Sequence, residues 1–91
     1  TKDVRMAVIR GLDRTRESFL DAVVKGVFTV PGDGDLDFGA IVRRLAHHGY
    51  EGWFVVEAEQ DPRRAPPAEM ARIGHRALTR VLAEAGYEVV R

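Results

Sequence analysis

The chain has 91 residues, 45% hydrophobic and 31% charged, a composition suited to one small globular domain rather than a disordered segment. Fourteen Lys plus Arg balance fourteen Asp plus Glu, so the basic excess of a nucleic-acid binder is missing, and no apolar run is long enough to span a membrane. The absence of cysteine excludes disulfides, thiolate metal sites and cysteine nucleophiles, and is compatible with a reducing, cytoplasmic setting.

In chain order, Thr1-Lys2-Asp3-Val4-Arg5 carries no initiator Met and no signal-peptide core, and reads as the exit of a strand already under way. A piece of a longer protein is therefore expected. Residues 6–13 suggest one or two helical turns broken by Gly11. Across 16–25, Phe19, Leu20, Val23 and Val24 form a helical stripe, with Thr15 or Ser18 as cap and Gly26 as stop. Val27–Val30 is a short β-branched and aromatic run, followed by the turn Pro31-Gly32-Asp33-Gly34.

Asp35-Leu36-Asp37 opens the next helix, whose apolar face is Phe38, Ile41, Val42 and Leu45 and whose end is Gly49. An apolar strand, Trp53–Ala58, follows almost at once. A run apolar on both faces is expected to be a parallel strand covered on both sides. Residues 61–67 form a Pro-rich, basic connection. The last helix starts near Pro67 and carries Met70, Ile73, Ala77, Leu78, Val81, Leu82 and Ala85 on one face up to Gly86. Ala46 to Glu51 is echoed by Ala83 to Glu88, thirty-seven residues later, about the length of a βα unit. The order helix, tight loop, strand is half of a repeated βα architecture. One strand makes no sheet, so its partners are expected outside the chain or in a second copy.

Glu57 interrupts the apolar run at the strand's C-terminal end, where parallel α/β sheets and barrels keep their ligands. The alternative for Glu57 is a paired or solvated carboxylate. Glu59 is expected in a salt bridge or loop contact. His47 and His48 are adjacent on a helix and cannot chelate one ion as an i, i+4 pair does, and His75 lies mid-helix; all three read as structural. Gly32-Asp33-Gly34 precedes a helix, but its flanking acids repel phosphate and no P-loop Lys follows. Arg63-Arg64 reads as a solvated pair.

Val30-Pro-Gly-Asp-Gly-Asp-Leu-Asp-Phe38, Leu45 with Gly49-Tyr50-Glu51-Gly52, and Val55-Val56-Glu57 resemble the last βα units of the xylose-isomerase-like TIM barrels. These are divalent-metal sugar isomerases, epimerases and dehydratases, with endonuclease IV as a distant relative. Phe19-Leu20-Asp21-Ala22, Gly26 to Gly34 and Val56 to Pro62 are similar to the branch that dehydrates keto-inositols. The resemblance implies an α/β fold, the C-terminal part of a (β/α)8 barrel: strand 7 end, helical connection, helix 7, strand 8 and helix 8 over residues 1–91. It implies a Mn²⁺ or Co²⁺ site to which Glu57 contributes, and a sugar-contacting role for Arg5, for which ordinary ion pairing is the equal alternative. The implied reaction is dehydration of 2-keto-myo-inositol to a trihydroxycyclohexane dione in inositol catabolism. A sugar or keto-acid isomerase or epimerase, and a structural piece active only within a larger barrel, are the alternatives. The implied partners are a cyclic polyol ketone or sugar and the rest of the barrel or a second copy, with neither nucleic acid nor membrane. The acid and base residues are not identifiable in this chain, and its zero net charge argues against a DNA-repair activity.

Overall fold

The computed structural model describes residues 1–90. Its elements are β1 (Asp3–Val4), α1 (Met6–Arg10), α2 (Phe19–Val24), β2 (Phe28–Thr29), α3 (Phe38–His47) and α4 (Pro67–Glu84).

The helix boundaries follow local chemistry. Ser18 caps α2 in a full capping box: its hydroxyl accepts from the Asp21 N–H, and the Asp21 carboxylate accepts from the Ser18 N–H. Asp37 caps α3 by accepting from the Ala40 N–H at 3.0 Å. Pro67 occupies the first turn of α4, where its missing N–H costs nothing.

The two copies of the thirty-seven-residue echo have one physical cause. Gly49 and Gly86 both sit at positive φ, 75° and 92°, just beyond α3 and α4. Tyr50 N–H then bonds the Leu45 carbonyl and Tyr87 N–H the Leu82 carbonyl, each at 3.0 Å. That is the Schellman stop, with a tyrosine leaving each helix in the same direction. The tyrosines converge on Phe54, whose ring lies edge-on to Tyr50 at 5.3 Å and to Tyr87 at 5.7 Å. Tyr87 Oη donates to the Tyr50 carbonyl at 2.6 Å, and Tyr50 Oη to the Trp53 carbonyl at 2.8 Å.

The core lies between α3 and α4: Phe38 and Val42 meet Leu78, Val81 and Leu82, with Phe54, Val56, Ala85 and Tyr87 packed against them. Burying each large apolar side chain here contributes roughly 1.5–3 kcal/mol. α4 crosses the extended chain closely at Gly74, where a Cβ would lie 2.7 Å from Val56 Cγ1 and 2.9 Å from Val30 Cβ.

The strands depart from expectation. The only ladder among the described residues is antiparallel, Asp3 opposite Thr29 and Val4 opposite Phe28. Residues 53–58 are extended but join no ladder among the described residues. Among the described residues their backbone pairing is confined to one residue: Thr1 donates from its amino terminus to the Val55 carbonyl at 2.5 Å and accepts from the Glu57 N–H at 2.8 Å. Bonding to residues either side of Val56, rather than to one residue opposite, is the parallel pattern. Cover on both faces is not found. Phe54 and Val56 pack on the helices, whereas Trp53 is 88% and Val55 60% exposed. Phe19, Leu20 and Ile41, expected on buried helical faces, are exposed as well, and in α2 only Val23 is buried.

Candidate functional site

Side chains alternate along an extended chain, so Glu57 shares the uncovered face of Trp53 and Val55. Its carboxylate lies beside Lys2, the next residue along the neighbouring strand from Thr1. Lys2 Nζ is 3.1 Å from Glu57 Oε2 and 2.6 Å from Glu59 Oε2, and 4.8 Å from the centre of the Phe28 ring. The Glu59 carboxylate, and after it that of Glu57, raise the Lys2 pKa above the ordinary lysine value. Glu59 therefore makes the salt bridge expected of it. Sequence reasoning missed Lys2; the strand pairing that brings it to Glu57 is not legible in local pattern.

The second cluster is built on Asp3, which is fully buried. Its Oδ1 accepts from the Val4 and Leu36 N–H groups, both at 2.9 Å. Its Oδ2 accepts from Gly32 at 3.2 Å and Gly34 at 3.1 Å. Four N–H dipoles thus neutralise one carboxylate and wrap the 31–36 turn around it. At Gly34 a Cβ would fall 2.5 Å from the Val4 carbonyl oxygen, so only glycine permits the wrap.

The turn so fixed presents Asp33 to Arg5. Arg5 Nη2 bonds Asp33 Oδ2 at 2.8 Å and Thr29 Oγ1 at 3.2 Å, and Nη1 bonds the Gly26 carbonyl at 2.9 Å. Thr29 Oγ1 donates to Asp33 Oδ2 at 2.7 Å and accepts from Gln60 Nε2 at 3.3 Å. Arg5 is thus ion-paired, and retains one Nη1 hydrogen and the Nε hydrogen without a partner among the described residues. Thr29, Asp33 and Gln60 were not singled out by sequence as a group, although the turn chemistry of 31–34 marked Asp33's neighbourhood.

The remaining candidates lie outside these two clusters. His47 and His48 are exposed, their rings edge-on at 5.4 Å. His75 is exposed on α4. Arg63 forks onto Asp61 through Nε at 3.1 Å and Nη2 at 3.0 Å, which holds the Asp61 carboxyl below its ordinary pKa. Away from Glu57, a groove of about 1010 Å³ opens between residues 51–56, α4 and residues 86–90, with Trp53, Val56, Leu78 and Tyr87 on its walls.

No group of three His, Cys, Asp or Glu among the described residues is placed to hold a metal ion. Glu57 suits a hard divalent cation by donor type, and its side chain is 56% exposed. It offers one carboxylate, already shared with Lys2, and the described residues bring no group of three donors around it.

No family model matches the chain. It is 52% identical over 88 residues to the rhizopine catabolism protein MocC of Rhizobium meliloti, covering 97% of this chain and 27% of that protein. It is 54% identical to the inosose dehydratase of Clostridium tetani and 57% identical to that of Geobacillus thermodenitrificans, each over 70 residues. Identity at this level over most of the chain reflects common descent. The chain is a relative of the inosose dehydratases. It spans about a quarter of the length of the curated relatives it matches, 24% of each of these two enzymes. No helix among the described residues is long and apolar enough to cross a membrane.

Proposed function

We propose that this chain is the C-terminal part of an inosose dehydratase, folded as the last βα units of a xylose-isomerase-like (β/α)8 barrel. The observation that carries the reading is the juxtaposition of Glu57 and Lys2 on the uncovered face of a one-residue parallel pairing. In a closed barrel that face would point inward, and a carboxylate at the strand end would lie at the mouth where such barrels keep their sites. The identity to inosose dehydratases supplies the substrate class, a cyclic polyol ketone. A cytoplasmic setting belongs to the same reading.

The chemistry is elimination of water from 2-keto-myo-inositol. The ketone acidifies the adjacent C–H; a base removes that proton, and a general acid protonates the departing β-hydroxyl. Glu57 would hold one position on a Mn²⁺ or Co²⁺ ion, which in such sites lowers the energy of negative charge developing on oxygen. Within this chain, Lys2 offsets the Glu57 charge until a cation takes its place, and Arg5 offers its remaining N–H donors to a ring hydroxyl. The acid and base belong outside the described residues.

Glu57→Gln in the full-length protein tests the assignment. The variant should lose bound Mn²⁺ or Co²⁺ and dehydration of 2-keto-myo-inositol together. Unchanged metal content would remove Glu57 from the ligand set. Residues 1–91 alone, supplied with Mn²⁺, should show no turnover, because one carboxylate does not hold the ion.

A further inference from the structure

Thr29 is fully buried, yet its hydroxyl meets three polar groups drawn from three other segments. It donates to Asp33 Oδ2 at 2.7 Å and accepts from Arg5 Nη2 at 3.2 Å and Gln60 Nε2 at 3.3 Å. A hydroxyl has one proton and two lone pairs, so its capacity is full. The direction of each bond is forced. An ionised Asp33 cannot donate, so the Thr29 proton goes to it, and Gln60 must then present its amide nitrogen. Gln60 Oε1 faces away, buried and without a partner among the described residues.

That arrangement is a poor device for stability alone, since a buried unpartnered oxygen is costly and an apolar side chain of the same volume would avoid the cost. It does accomplish one thing. Gln60 lies three residues beyond Glu57, and its only hydrogen-bonded link among the described residues runs through Thr29 to Arg5 and Asp33. The network ties the segment carrying the carboxylate to the segment carrying the guanidinium.

We propose that Gln60 and Thr29 are positioning residues that fix the Arg5 guanidinium relative to Glu57, so that its unpaired N–H groups meet a hydroxyl of the cyclic polyol ketone. This rests on the reading of Arg5 as a substrate contact. With Nη2 held by Thr29 and Asp33 and Nη1 held by the Gly26 carbonyl, the guanidinium plane is set at three points. Releasing one of them lets the plane turn and weakens its contact with the substrate hydroxyl.

Steady-state kinetics on 2-keto-myo-inositol with the full-length protein test it, with thermal midpoints measured in parallel. Gln60→Leu and Thr29→Val should each raise KM by about five- to tenfold with kcat changed less than about twofold, the pattern of lost binding rather than lost chemistry. Gln60→Leu should keep or raise the thermal midpoint, and Thr29→Ser, which retains the hydroxyl, should restore KM. Arg5→Met should raise KM at least as much as either. If Arg5→Met raises KM while Gln60→Leu and Thr29→Val leave it unchanged, the positioning role is overturned and the Arg5 reading stands. If Arg5→Met leaves KM unchanged, the Arg5 reading falls and the positioning role with it. A loss in Gln60→Leu and Thr29→Val that follows a lowered thermal midpoint, with KM and kcat affected alike, also overturns it.

Discussion

Asp3→Asn should be among the most destabilising single changes in the chain despite replacing only one oxygen. The buried carboxylate takes four backbone N–H groups, two on each oxygen. An amide keeps one oxygen. Two of the four donors lose their acceptor, and an NH2 group is turned towards them. Leaving a buried donor unsatisfied costs about 1–3 kcal/mol, so the pair sums to about 2–6 kcal/mol, a large share of a typical domain's stability. The turn at 31–36 would loosen, and with it the Asp33 carboxylate that holds Arg5. Urea unfolding followed by circular dichroism should show a lowered midpoint at unchanged slope. A loss below about 1 kcal/mol would refute the claim that this carboxylate organises the turn.

Gly74→Ala sets two effects against each other. Alanine gains roughly 1 kcal/mol of helix propensity in α4, but its Cβ would lie 2.7 Å from Val56 Cγ1 and 2.9 Å from Val30 Cβ. Overpacking costs about 1–3 kcal/mol and should win; a raised unfolding midpoint would count against the close crossing. The Ser18 backbone N–H, and after it the Ser18 hydroxyl, hold the Asp21 carboxyl below its ordinary pKa of 3.8. A carboxylate whose folded pKa is depressed stabilises the fold above its unfolded value, and that contribution is lost as pH falls through the lower folded value. The capping box should therefore weaken below about pH 3.8, and Asp21→Asn should flatten the acid limb of stability against pH. An unaltered limb would sink the assignment. Lys2→Met removes a positive charge 3.1 Å from Glu57 Oε2, so Mn²⁺ should bind the full-length protein more tightly by calorimetry. Unchanged or weaker binding would show that Lys2 does not compete with a cation for Glu57.

What was legible in the sequence was local. Ser18, Asp37, Pro67, Gly49 and Gly86 act within a turn of helix, and each terminates or starts its element where its chemistry requires. The echo around Tyr50 and Tyr87 was visible as text, but its cause, a shared Schellman stop with both rings on Phe54, needed coordinates. Of the candidate site, the sequence marked two residues. Glu57 stood out because a charge ended an apolar run, and Arg5 through family likeness. Asp3, whose loop partners are 29–33 residues away, and Gln60, 31 residues from Thr29, leave no periodic or short-range trace. Such chain-distant side-chain bonds follow from how loops and extended segments pack together, which local periodicity does not reveal.

The half-covered state of residues 53–58 bears on where the proposed chemistry lies. An apolar run on both faces predicts cover on both, and this chain supplies cover for one: Phe54 and Val56 lie under α3 and α4. Trp53 and Val55 remain 88% and 60% exposed, and Glu57 follows them on the same face with Lys2 beside it. Exposed scattered hydrophobics are ordinary, but an aromatic and a β-branched residue adjoining a charged pair on one strand face form a patch that calls for a partner surface. The residues that carry the proposed chemistry therefore begin where this chain's own packing stops. A barrel interior built from further strands would cover Trp53 and Val55 and bring additional donors to Glu57 in the same step. On that account the exposure of Trp53 and the shortage of ligands around Glu57 have one cause.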